Sequence, residues 1–518
     1  MSRPTQPYPR RWQALIVLAL SLLVVSLDNT ILNVALPTIR EELDASSSQL
    51  QWIVDSYLLV FAGLLLAAGT LGDRFGRRRA LFTGLGIFGI GSLCAAVSSS
   101  STELIASRAL MGVGAAAIMP TTLSILTNIF PKHERPKAIA IWAAVSGMGI
   151  AIGPISGGWL IEHFDWSSVF LVNLPVVLGC LIAGAMLIPD SRDPQSPRLD
   201  FPGIGLSIAG LTAIVWALIE APERGWTSPV ILTAFAAGAV IAATFIVWER
   251  QIAHPMLDVG VFRNLRFSAA SLSITLVFFA LMGVMYFLTT YLQSVMGYTA
   301  LEAGVRMAPI AAGLIVASKL SVALSARLGT KAVVAGGLLI VGISLGAFTA
   351  IEVDTPYFTK VCGALTMMGV GMGLAMAPAT DAIMGALPQA KAGIGSAMND
   401  VVREVGGTLG VAVLGSIVST SYAASMDDAT AALPERAAEA ASDSVGAAHE
   451  IAAEAGGSGS AKLIALADQS FVDAMTTAAG LAAGVALAGA LVAAAFLPSL
   501  AGAESQAGDQ ELLEAAAA

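Results

Sequence analysis

Ionisable side chains are expensive inside an apolar run, so the few that occur there are the first candidates for chemistry. Asp28, in Leu27-Asp28-Asn29-Thr30, stands within an apolar stretch that extends from Leu15 to Pro37. Burial favours the neutral form of a carboxyl and a nearby cation favours its charged form, so Asp28 can load and release a proton. The plainer alternative is a cap at a helix break near the outer interface. Arg108, in Ser107-Arg108-Ala109-Leu110, lies close to the start of another run. By itself it reads as a residue that snorkels to the surface. Asp55 begins a third run, and Asp400, Arg403 and Glu404 open a late one. Residues three or four apart share a helical face, so this last group is either a solvated turn at an exposed end or an inward-facing site. There is no Walker phosphate loop and no nucleophile–base cluster, which argues against an enzyme and against ATP drive. His133, His163, His254 and His449 lack ligand spacing, so no metal is expected. No cofactor is implied.

The elements that hold these residues are long and apolar. Of 518 residues, 56% are hydrophobic and only 12% charged, with mean hydropathy +0.78; such a chain is a polytopic membrane protein. A basic stripe with interleaved aromatics is absent, and nucleic acid is not an expected partner. Cys94, Cys180 and Cys362 all fall inside apolar runs and read as small core residues. Runs of about 20 residues can cross a bilayer as helices. Roughly fourteen are expected, near 13–36, 52–72, 80–98, 104–127, 137–160, 167–188, 203–221, 229–248, 267–290, 301–325, 332–351, 357–380, 401–423 and 475–497. With the N-terminus inside, the cytoplasmic loops collect Arg74 to Arg79, Lys132, Arg135, Lys137, Arg192, Arg198, Arg250, Arg263, Arg266, Arg327, Lys331 and Lys391. The short external loops hold only Arg40, Arg224 and Lys360. Positive residues resist translocation, so this asymmetry predicts an all-α protein with an even number of spans and both termini cytoplasmic.

Between the second and third runs lies Gly69-Thr70-Leu71-Gly72-Asp73-Arg74-Phe75-Gly76-Arg77-Arg78-Arg79. It resembles the G-x-x-x-D-R-x-G-R-[KR] signature of the major facilitator superfamily. A degenerate copy, Ser325-Ala326-Arg327-Leu328-Gly329-Thr330-Lys331, falls where a second half would repeat the first. The segment from Leu27 to Pro37 is similar to the L-D-x-T-[IV]-x-N-V-A-L-P pattern of that superfamily's fourteen-helix drug:proton antiporters. Arg108-x-x-x-Gly112-x-Gly114 resembles the R-x-x-x-G-x-G signature. Gly149-x-x-x-Gly153-Pro154-x-x-Gly157-Gly158 resembles the antiporter signature, which points to export over import. Trp166 through Asn173 and Pro175 is similar to the W-R-W-x-F-x-I-N-x-P segment, with Ser167 in place of the usual basic residue.

The resemblance implies two six-helix bundles plus two extra helices. The expected division is an N-terminal tail at 1–12, a first bundle at 13–188, inserted spans at 189–255, a second bundle at 256–498 and a C-terminal tail at 499–518. Residues 424–474, Ala-rich and acidic, read as an external loop of short solvated helices with a flexible break at Gly456 to Ser460. Proton coupling is implied for Asp28 and Arg108, and recognition of cationic drugs for Asp55. Asn33, Asp400 and Glu404 join Asp55 as candidate substrate-binding residues. Gly69, Asp73, Arg74, Gly76, Arg77 and Arg78 are expected to lock a cytoplasmic gate. Gly147, Gly153, Pro154, Gly157 and Gly158 are expected to let one helix pack closely and bend. The expected activity is proton-driven efflux of amphipathic or cationic compounds across a bacterial cytoplasmic membrane, by a monomer surrounded by lipid. The rival expectation is an exporter dedicated to one metabolite, antibiotic or lipid.

Overall fold

Polar backbone groups find no partners in hydrocarbon, so each crossing segment must satisfy its own; the chain answers with helices throughout. The structure, a computed structural model, describes residues 8–45, 47–191, 200–252, 255, 257, 259–387, 391–430, 433–455 and 458–497, and holds no strand among them. The helices are α1 (Arg11–Glu42), α2 (Ser47–Phe75), α3 (Arg77–Ala96), α4 (Ser101–Ile129), α5 (Arg135–His163), α6 (Ser168–Leu171) and α7 (Asn173–Leu187). Then come α8 (Phe201–Arg224), α9 (Pro229–Gln251), α10 (Leu265–Thr290), α11 (Ala300–Phe348), α12 (Cys362–Gly385) and α13 (Ala392–Thr430). The last are α14 (Glu435–Asp443), α15 (Val445–Ala455) and α16 (Ser458–Phe496). Local caps fix several starts. Ser100 accepts from the Glu103 amide at the head of α4, and Thr299 and Glu302 form a reciprocal capping box at the head of α11.

Among the described residues, twelve helical segments are long and apolar enough to cross a membrane. One of them, Leu301–Phe348, is broken at Gly329, whose φ of 82° is open to glycine without strain. Gly76, which separates α2 from α3, has φ 112°. The predicted charged loop is thus a single-glycine corner between two helices, and its degenerate copy is a corner of the same kind.

Two apolar cores organise the molecule. One is shared by α1 to α5 and α7, the other by α10 to α13 and α16, and residues of each reach across a seam to the other. At the seam α2 and α4 meet α13, and α5 meets α11 and α12. Helix α8 lies against α2 and α13 at once, and α9 packs on α8. Thr212 of α8 packs beside Gly63 of α2, and Trp226 donates to the Ser416 hydroxyl of α13 at 3.2 Å. We call the end that carries Arg74 to Arg79 the arginine end, and its opposite the far end.

Two expectations need correction. The run expected near 401–423 begins nine residues earlier by residue number, at Ala392, so Asp400 and Arg403 lie inside a helix and not on an exposed turn. The segment 424–474 does hold short helices, α14 and α15, but it is shorter than expected and not solvated all round: α13 continues to Thr430, α16 starts at Ser458, and the helices between them bury one face. Its alanines are the reason, because they bury without side-chain entropy cost. Ala441, Val445, Ala448 and Ala452 are buried, and Tyr422 donates to the Ala441 carbonyl at 3.0 Å. Gly456 and Gly457 of the expected break lie outside the described residues, whereas Ser458 to Ser460 are helical.

Candidate functional site

Asp28 and Arg108 are both fully enclosed, at 0% and 1% exposure. The Arg108 guanidinium donates from Nη1 to Asp28 Oδ2, so Arg108 faces the interior and does not snorkel. Its Nε donates to the Ile53 carbonyl at 3.1 Å, and the group lies 4.4 Å from the centre of the Tyr57 ring. The other Asp28 oxygen accepts from Asn173 Nδ2 at 3.1 Å. Asn173 also reaches the Ser92 hydroxyl at 3.1 Å, which in turn donates to the Phe170 carbonyl at 2.7 Å. Side chains from α1, α2, α3, α4 and α7 therefore converge on one carboxylate. A buried charge persists when it is paired and hydrogen-bonded, and here both conditions hold.

Asn173 and Tyr57 are the residues that sequence reasoning left without a role. Asn173 was visible as part of a patterned segment, and a lone amide inside an apolar run is the signal that singles it out; Tyr57 carries no such signal. Asp55 is half-buried on α2. It stands two positions before Tyr57, about 200° around the helix, and is not a partner of Asp28 or Arg108. The side chain of Asn33 lies outside the described residues.

A second charged cluster belongs to α13. Arg403 faces Asp400 at 3.7 Å, with its guanidinium 4.6 Å from the centre of the Phe278 ring and 5.5 Å from that of Trp142. Asn399 bridges Thr380 of α12 and Asp400, at 3.1 and 3.4 Å. Glu404 is half-buried next to Arg403. Trp142 comes from α5 and Phe278 from α10, so this cluster straddles the seam. A cation between two ring faces is a favourable arrangement, and the aromatic partners carry no sequence signature that separates them from ordinary core residues.

At the arginine end Asp73 does cross the seam. It accepts from the amide of Gly393 at 2.9 and 3.0 Å and of Ile394 at 3.3 Å, the exposed donors at the start of α13. Arg77 donates to the same carboxylate from Nε at 2.8 Å and Nη2 at 2.7 Å. Gly69 makes room for this, since a Cβ there would stand 2.6 Å from the Gly393 carbonyl. Arg78 stays within its own bundle, donating to the Ala185 carbonyl at 2.7 Å, and Arg74 is half-buried with its guanidinium 5.7 Å from the Phe75 ring centre.

The glycines of α5 serve two neighbours and not one face. Cβ atoms at Gly149, Gly153 and Gly157 would strike Ser26, Thr30 and Ile31 of α1, whereas Gly147 and Gly158 face Leu314 and Leu301 of α11. Thr30 seals the first contact by donating to the Gly149 carbonyl at 2.9 Å. The side chain of Pro154 lies outside the described residues. No group of metal-ligating side chains occurs among the described residues.

Comparison with known proteins places the chain in a lineage. A family model described as Major Facilitator Superfamily matches residues 18–411. The chain is 37% identical over 491 residues to "Multidrug efflux pump LfrA" of Mycolicibacterium smegmatis, covering 94% of this chain and 96% of that one. It is 36% identical over 426 residues to "Puromycin resistance protein pur8" of Streptomyces alboniger, covering 82% and 84%. Among solved structures, the human organic anion transporter MFSD10 (TETRAN) superposes with TM-score 0.60 at 14% identity, over 95% of this chain and 100% of that chain. At that identity the likeness shows a common fold.

Proposed function

Since the chain belongs to the major facilitator superfamily, we propose that it exports amphipathic or cationic drugs from the bacterial cytoplasm, driven by protons through alternating access. The observation that carries this reading is the enclosed Asp28–Arg108 pair with Asn173 behind it. Protonation of Asp28 cancels one of two buried charges and frees Arg108, so the site has two electrostatic states for the bundles to follow. Asp400, Glu404 and Asp55 supply negative charge for a cationic substrate, with Asn33 as a further polar contact. Asp73 on the head of α13 holds the arginine end shut until the bundles part, with Arg74, Gly76, Arg77 and Arg78 shaping that corner. The glycines of α5, with Pro154, are the bearing on which α1 and α11 move.

The proposed topology has fourteen spans with both termini in the cytoplasm. Dividing α11 at Gly329 and including α5, which is 29 residues long, supports raising the twelve qualifying segments to that number. On this reading 13–188 and 256–498 are the two bundles and 189–255 the inserted pair. Protons are the coupling ions, no cofactor takes part, and the working unit is a monomer. A narrower substrate range is the second reading, favoured by the single-antibiotic name of the Streptomyces alboniger relative.

The test is drug-triggered proton flux in liposomes that hold the purified protein and an internal pH dye. The wild type is expected to move protons when ethidium is added, and Asp28→Asn to lose about 99% of that flux or more, following the roughly 10²- to 10⁴-fold weight of a positioned proton carrier. Unchanged flux in Asp28→Asn refutes Asp28 as the coupling residue. Flux with puromycin alone, among chemically unrelated compounds, would move the assignment to the narrow reading.

A further inference from the structure

The inserted pair leaves a gap where it crosses the seam. A cavity of about 310 Å³ opens there, with Leu66 of α2 and Met398 and Val401 of α13 on the bundle side. Phe245 of α9 and Gly210 of α8 close the other side, and Arg250 stands at its rim. Leu66 lies seven residues before Asp73 and Val401 eight after Gly393, so the cavity sits about 10–12 Å along the helices from that polar contact. That is acyl-chain depth, whereas Arg250 is level with the helix ends where Trp248 donates to Asp200 at 2.9 Å. Arg250, Trp248 and Phe262 are all exposed. Arginine and aromatic side chains at one level mark the boundary between hydrocarbon and headgroups.

We propose that this cavity is a binding site for an anionic phospholipid, with one acyl chain between the inserted pair and the seam and the phosphate at Arg250. Charge selects the occupant. Two carboxylates stand at this level, but both are buried and hydrogen-bonded inward, Asp200 to Gly203 and Trp248 and Glu249 to the Leu257 amide. Arg250, without an ion-pair partner among the described residues, and Arg263 are exposed, so the accessible charge favours a phosphate over a cationic drug. Because the walls come from α2 and α13 together, the chain fits only while those helices are apposed. A bound lipid therefore favours the state in which Asp73 caps α13, and the inserted pair acts as the clamp that holds it.

Native mass spectrometry of the full chain, taken from bilayers of equal phosphatidylglycerol and phosphatidylcholine, tests this. The wild type is expected to retain one phosphatidylglycerol in preference to phosphatidylcholine. Arg250→Gln is expected to weaken that retention about fivefold, the weight of one basic residue at an anionic surface. Ala242→Phe, which fills the cavity from α9, is expected to abolish it. Added phosphatidylglycerol should raise the melting temperature of the wild type, raise that of Arg250→Gln less at the same lipid concentration, and leave Ala242→Phe unmoved. Equal retention of the two lipids, retention unchanged in Arg250→Gln, or bound ethidium in place of lipid would each overturn the proposal. If Ala242→Phe fails to fold, the Arg250→Gln comparison decides alone.

Discussion

Asn173 shows how a neutral side chain can govern an ionic one. It donates to Asp28 and to Ser92 from the same nitrogen, and a hydrogen bond to a charged group is worth about 1.5–3 kcal/mol. Asn173→Leu keeps the volume and removes the donor, so drug-driven proton flux should fall about tenfold or more while the protein still folds. Flux equal to the wild type in the liposome assay would mean that Arg108 alone holds Asp28. The residue scale was partly legible. Asp28 and Arg108 announced themselves because a charge in an apolar run has few reasons to be there. Their contact did not, because it joins residues 80 apart in sequence and depends on how α1 and α4 pack. Trp142 and Phe278, which flank Arg403, were invisible for the opposite reason: aromatic residues are what any apolar core contains.

Helix packing is where the small residues of α5 act. A Cβ at Gly149 would lie 2.7 Å from the Ser26 Cβ and 3.0 Å from its carbonyl carbon. Overpacking of this kind costs about 1–3 kcal/mol, so Gly149→Val should lower the melting temperature in detergent by several degrees and slow transport. Gly179→Val is the control, since nothing lies within 4 Å of that position; equal melting of the two variants would remove the argument. Element lengths were less readable than element existence. Hydropathy marked the apolar centre of α13 but not its first turns, because Ala392 to Asn399 are mostly small or polar, with only Ile394 and Met398 large and apolar. They are helical because they pack at the seam, against Gly69 and beneath Asp73. The merged α11 shows the reverse case, where one glycine at positive φ suffices for a corner that a hydropathy plot reads as a gap.

For the whole molecule, the balance between its states rests on few polar contacts. Asp73 supplies a charge at a helix start, where negative groups are favoured, and loses two amide donors, of Gly393 and Ile394, if the seam opens. Asp73→Ala should shift the population away from the closed arginine end by roughly tenfold to a hundredfold, following the 1.5–3 kcal/mol scale of charged hydrogen bonds. Electron–electron distance measurements between spin labels on the arginine ends of α2 and α13 would report this; an unaltered distance distribution would show that apolar packing alone keeps the seam shut. The two-core plan was expected from the repeated charged corner, whereas the seat of α8 across both bundles had no sequence signal. The same scale gives meaning to the lengths of α13 and α16. Each has 39 residues, roughly 58 Å at the rise of an α-helix, against a hydrocarbon layer of about 30 Å. The surplus lies at the far end, where α14 and α15 pack on each other and on α13 and α16. For electron imaging this is a built-in fiducial: particles otherwise hidden in a detergent micelle carry their own mark of up, down and azimuth, without an antibody fragment.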